Sequence, residues 1–133
     1  MPERPTAGWR HHLEEQRAQR RAGTLKEGED WALEAYPDSL IAATDTALAD
    51  FEQVLTRTDP ESDTAVLGAV QHVVLALNAA NANHSDAAYD TDEREALCDY
   101  IDQALVGAGV DTDALTARQG LERWEITDRW RTW

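Results

Sequence analysis

The chain is poor in cysteine, lysine and long apolar runs, and each shortage closes off a class of protein. One cysteine, Cys98, in 133 residues leaves no partner for an intrachain disulfide and no thiolate cluster for zinc, a usage that fits a reducing compartment. The longest aliphatic run, VVLAL, is five residues, against the ~20 that a membrane helix needs. The opening MPERPTAGWRHH has no apolar segment of the kind a secretory signal carries. A cytoplasmic protein with no membrane contact is therefore expected. There is no glycine-rich phosphate loop and no G-x-S-x-G turn, so the common nucleotide and acyl-transfer chemistries lack their sequence marks. No stretch alternates apolar and polar residues for long enough to be a strand.

What is abundant is negative charge. Twelve Lys and Arg face 26 Asp and Glu, a net charge of -14. The split is uneven: residues 1–26 balance at +3, whereas residues 27–133 balance at -17. Such a field repels nucleic-acid phosphates and anionic lipid, and it attracts basic proteins and cations. The plainer alternative is that acidity only maintains solubility or answers a salty cytoplasm, since one Lys against eleven Arg fits a genomic habit equally well. The length suits one domain, with a core that needs no disulfide or metal.

The apolar pattern is helical throughout. Gly8 to Leu25 has helix-forming residues but only Trp9 and Leu13 as large apolar groups before Leu25, so a basic N-terminal arm over residues 1–26 that buries little is expected. Its deletion should then hardly change the melting temperature, and Arg17, Arg20 and Arg21 should face outward or rest on the acidic body. Residues 27–133 read as a single acidic helical domain. It opens with a short helix carrying Trp31, Leu33 and Tyr36 and stopped by Pro37. Three long amphipathic helices follow. The first places Leu40, Thr44, Ala47, Leu48, Phe51, Val54 and Leu55 on one face. The second uses Val66, Val70, Val73, Val74 and Leu77, and the third Leu97, Ile101, Ala104 and Leu105. Asp90 and Glu93 have the spacing of a capping box. The tail reads as a short helix near Asp113 to Gln119, a break at Gly120, and a last turn bearing Trp130 and Trp133. The expected fold is all-α: a compact bundle of three main antiparallel helices, the Trp31 helix, the arm and a Trp-rich C-terminal flap.

The second long helix ends in ALNAANANH, where three asparagines and a histidine pose the choice between a ligand site and a helix ending. At ~100° per residue, Asn81 falls inside the Val66–Leu77 stripe, Asn78 on its edge, and His72 on the solvent side. A buried amide needs partners, and the nearest are backbone groups of the following loop or of the flap. Asn78 and Asn81 are therefore expected to be structural polar residues, and Asn83 and His84 to terminate the helix.

Carboxylates at this density invite a metal, but the patterns fail. No Glu-x-x-His pair occurs for a di-iron bundle. DTDEREA and DTDALTA begin like calcium loops, yet both lack the glycine at the sixth position; the second also puts Leu115 where an oxygen ligand belongs. Asp92, Glu93, Glu95, Asp99 and Asp102 surround Cys98 and should discourage its thiolate, leaving a packing residue. No metal, no cofactor and no catalytic residue are assigned. That leaves surface. Trp124, Trp130 and Trp133, with Arg123, Arg129 and Arg131 beside them, either latch the flap to the bundle or form an interface hot spot.

The segments ALNAAN, TDEREALCDYI and ITDRWRTW resemble small acidic bacterial proteins, some of which are similar to immunity proteins that neutralise secreted toxins. The resemblance spans Trp31 to Trp133 and implies binding rather than catalysis. On that expectation, Asp86, Asp90, Asp92, Glu93, Glu95, Asp99 and Asp102, with Trp124, Trp130 and Trp133, meet a basic protein, a nuclease-type toxin being the natural case. A structural or adaptor homodimer, its basic arm lying on the acidic body of its mate, is the alternative.

Overall fold

The computed structural model describes residues 1–84 and 88–133, and among them every regular element is helical. Pro5 opens α1 (Pro5–Ala22), where its missing N–H costs nothing, and Gly23 closes it at φ 73°. α2 (Trp31–Ala35) stops two residues short of Pro37, and α3 (Asp38–Thr56) starts just after that proline. Asp59-Pro60 separates α3 from α4 (Asp63–Ala82), whose Ser62 cap accepts the Ala65 N–H at 3.2 Å. α5 (Thr91–Gly107) is followed by Gly109 at φ 91°, and α6 (Thr112–Arg118) by Gly120 at φ 71°. One turn of 3-10 helix, Arg123–Glu125, begins the tail.

The three long amphipathic patterns become α3, α4 and α5, and their apolar stripes meet. Leu48 and Phe51 of α3, Val66, Val70, Val73, Val74 and Leu77 of α4, and Leu97, Ile101, Ala104 and Leu105 of α5 are all fully buried. α3 and α4 are the most closely packed pair. By length and composition alone, α4 is apolar enough to cross a membrane, with mean hydropathy 1.4. In this fold Val66, Ala69, Val70, Val73, Val74, Leu77 and Ala80 of α4 lie in the core, while Leu75 on the same helix is exposed.

The expectation that the N-terminal segment buries little needs correcting. α1 packs on α2, α3 and α5, and its Trp9 and Leu13 are only 6% and 2% exposed. Two large side chains suffice because both lie on one stripe, with Thr6 and Gln16 continuing it into buried ground. Trp9 stacks on Tyr36 at 5.4 Å with rings 5° apart. Gln16 Oε1 accepts the Ala32 N–H at 2.8 Å, tying α1 to the first turn of α2. Ala32 in the short helix and Tyr36 just after it, rather than Trp31, are buried; Trp31 remains 47% exposed.

Polar side chains finish the attachment. Arg4 Nε donates to Glu52 Oε2 at 2.6 Å and Nη1 to Asp45 at 3.2 Å, while Thr6 Oγ1 donates to Asp45 at 2.7 Å. Tyr100 of α5 also donates to Glu52. One network thus joins α1, α3 and α5. Hydrogen bonding from Arg4 holds the Glu52 carboxyl below its usual range. Burial works against the Asp45 carboxylate, but Thr6 and Arg4 outweigh it, and this group too lies low. Arg17 reaches Asp38 at 2.9 Å, while Arg20 and Arg21 face solvent.

The asparagines sit where α4 ends. Asn81, 3% exposed, accepts the Ala88 and Tyr89 N–H groups on its Oδ1 at 3.0 and 3.2 Å. Asn78 donates to the Trp130 carbonyl at 2.8 Å and accepts the Thr132 N–H at 3.0 Å. Each amide thereby orders irregular chain that has no ladder of its own. Asn81→Ala should cost about 1–3 kcal/mol, because two backbone donors lose a buried acceptor. His72→Ala should cost almost nothing: His72 and its partner Asp50 are both more than half exposed, and such pairs contribute little. Urea melts of the two variants make the comparison, and equal losses would refute this reading of Asn81.

Candidate functional site

α5 carries most of the predicted partner-binding carboxylates, and the structure sorts them into three environments. Asp86 lies outside the described residues. Asp90 caps α5, accepting the Thr91 N–H at 2.9 Å, and stays exposed, as does Asp92. Glu95 and Asp99 are exposed one helical turn apart, and Asp99 accepts from Gln103 Nε2 at 2.7 Å. Asp102 is bound by Arg123 in a two-pronged pair, Nε to Oδ1 at 2.8 Å and Nη2 to Oδ2 at 2.9 Å. The same guanidinium touches Asp113 at 3.3 Å.

Glu93 does not belong with the surface set. It is 7% exposed and faces a hollow of about 340 Å³ shared with Glu34, His84 and Asp90. Its spacing from Asp90 suggested a capping box, but only the Asp90 side chain caps α5. The acidic box forms instead at Glu122 and Glu125, around the 3-10 turn, where each carboxylate takes a backbone N–H of the other's residue. Burial, and then the nearby Asp90 and Asp92 charges, push the Glu93 carboxyl above its ordinary value. In acid below about pH 3 both the folded and unfolded forms are protonated and the group has no effect on stability. As pH rises through the unfolded value, the unfolded chain ionises first, which penalises the fold. Glu93→Gln should therefore raise the melting temperature at pH ~7, with the gain vanishing in acid; an equal gain at both pH values would contradict this cause.

The three tail tryptophans divide between the two roles that composition left open. Trp133 is 9% exposed, edge-on to Tyr89 at 5.7 Å, with the Arg131 guanidinium 5.1 Å from its ring centre. Trp130 is half-buried, with Arg129 at 5.6 Å, and its carbonyl is held by Asn78. These two fasten the tail. Trp124 is 72% exposed.

Trp124 stands over a groove of about 410 Å³ between α5 and the 3-10 turn. Half-buried Cys98 and buried Ile126 and Thr127 form its base, and Glu95, Asp99, Asp102 and Arg123 line it with Trp124. Burial foremost pushes the Cys98 thiol up, and Thr127 Oγ1 lies 3.7 Å from its sulfur. A thiol so disposed is a poor nucleophile. The cause differs from the one inferred in sequence, where neighbouring carboxylates were the reason.

Ile126, Thr127 and the Arg123–Asp102 pair were not expected at this site. The pair spans 21 residues and no local pattern announces it. Glu122 and Glu125, by contrast, have the same three-residue spacing that drew attention to Asp90 and Glu93, and could have been found by it. Among the described residues no group of three or more His, Cys, Asp or Glu is placed to hold a metal ion. The geometry offers a groove with an apolar base and an acidic lining, suited to binding a cationic, partly apolar surface. No protein family, curated protein or solved structure matches the chain.

Proposed function

We propose that the chain is a non-catalytic protein-binding module of the immunity kind, whose acidic α5 face covers a basic site on a secreted toxin. The toxin site would be one that cleaves nucleic acid, with carboxylates standing in for phosphates. The observation that carries this reading is the pairing of Trp124, 72% exposed, with the exposed Glu95 and Asp99 on one groove. A large apolar side chain left in water beside carboxylates is the composition of an interface that selects a basic partner. The net charge of -14 supplies long-range attraction to the same partner.

The homodimer alternative has weaker support. Its motive was a basic arm in need of an acidic surface, and Arg4 and Arg17 meet Asp45, Glu52 and Asp38 of their own chain. Sedimentation of the full chain decides it, with a monomer rejecting the alternative.

The test of the proposal is co-expression with the products of adjacent genes. Rescue of growth from a basic toxic product, with association that slows steeply as salt is added, is the expected outcome. Adjacent genes encoding only metabolic enzymes, or an affinity indifferent to salt, would overturn it, because steering by opposite fields is screened beyond ~8 Å at physiological ionic strength.

A further inference from the structure

The tail repeats one arrangement. Arg129 lies over Trp130 and Arg131 over Trp133, each guanidinium 5.1–5.6 Å from an indole centre. Trp124 has no such cation among the described residues, because its neighbour Arg123 is turned to Asp102 and Asp113. Glu95 and Asp99, which share the groove with Trp124, form no ion pair among the described residues either. The groove thus presents what a guanidinium recognises: an exposed indole and, in Glu95 and Asp99, two carboxylates with no ion-pair partner among the described residues.

From this we infer that the groove between α5 and the 3-10 turn seats an arginine side chain of the partner, stacked on Trp124 and hydrogen-bonded to Asp99 or Glu95. The inference rests on the proposed binding of a basic protein and specifies the anchoring residue. Arginine suits the site better than lysine for two reasons. Its planar, weakly hydrated guanidinium lies flat on an indole, and its fork of N–H groups matches a carboxylate, whereas an ammonium is a compact, strongly hydrated charge. The Arg123–Asp102 pair shows the second geometry within the groove's own lining, with two N–H groups meeting two carboxylate oxygens at 2.8 and 2.9 Å. The apolar base formed by Ile126 and Cys98 suits the arginine stem, whose methylenes prefer such a surface. A groove of about 410 Å³ accommodates one long side chain and not a folded element.

The probes are a short peptide of alternating glycine and arginine and its lysine counterpart, titrated at low ionic strength into the ¹⁵N-labelled full chain. The indole N–H signals of the five tryptophans report the site separately. The arginine peptide should move the Trp124 signal more than the other four and bind about three- to tenfold more tightly than the lysine peptide. Trp124→Ala, followed through α5 amides, should erase that preference, and Asp99→Asn should weaken arginine binding about threefold or more. Trp124 is exposed, so its loss should leave the melting temperature in place. Equal, salt-sensitive binding of both peptides with no response at Trp124 would overturn the arginine seat while leaving the acidic-surface reading standing. Failure of both peptides to bind at low salt would overturn the two together.

Discussion

A chain lacking Met1–Lys26 should lose its cooperative thermal transition or melt far below the full-length protein. The reason lies in which side chains leave. Trp9 and Leu13 are almost wholly buried, and truncating such groups to alanine costs about 3–5 kcal/mol for Trp and 2–5 for Leu. A domain of this size is stable by only about 5–15 kcal/mol, so the loss is comparable to the whole. Deletion also uncovers Tyr36, strips Gln16 from the Ala32 N–H, and leaves Asp45 and Glu52 without Arg4. Trp9→Ala alone should reproduce most of the effect. Acid should act on the same joint: the low Asp45 and Glu52 values mean that their contribution is complete above the ordinary carboxylate range. It is lost as pH falls through the lowered values. Calorimetry of the truncated chain makes the test; an unchanged melting temperature would mean that α1 adds no stability to the body.

Reversing Asp92, Glu95 and Asp99 to lysine should slow association with a basic partner by about an order of magnitude or more, with a smaller change in dissociation. These three are chosen because they are exposed. Glu93 is left out because a lysine there would enter a buried position. Asp102 is left out because its reversal would set two cations against each other at Arg123. The triple variant should therefore keep the helical circular dichroism of the parent, which separates lost steering from lost fold. Trp124→Ala should act on the opposite limb and speed dissociation, as removal of a short-range anchor does. Association rates that ignore all three reversals would move the binding face away from α5.

How much of this could be read from sequence varies with the range of the interaction involved. The long helices were legible because period and burial coincide: Leu48, Phe51, Val70, Val74, Leu77, Leu97, Ile101 and Leu105 all point inward from spacing alone. The inward phase of Asn81 was legible for the same reason. α1 was misjudged because counting apolar residues ignores where they fall; Trp9 and Leu13 stand one turn apart, and two well-placed side chains bury a whole helix face. Glu93 was misjudged because a capping-box spacing specifies two residues and not the hollow that Glu93 shares with Glu34 and Ala35 of α2. The groove itself was out of reach. It depends on a tail that returns to α5 through the Arg123–Asp102 pair and on Ile126 packing beneath it, contacts set by tertiary structure.

The placement of Asn78 and Asn81 on successive faces of one helix end carries a dynamic consequence. The backbone at Ala88 and Tyr89 and the backbone at Trp130 and Thr132 are far apart in sequence, yet both are fixed to the last two turns of α4. Fraying of those turns releases the two at once. The backbone at Ala88 and Tyr89 and that of the C-terminal tail should accordingly behave as one unit of local unfolding, with the amides of Tyr89 and Thr132 exchanging their hydrogens with solvent through a shared opening rather than independently. The groove under Trp124 borders that unit. A partner that clamps the groove would then slow exchange at Tyr89, a site it never touches.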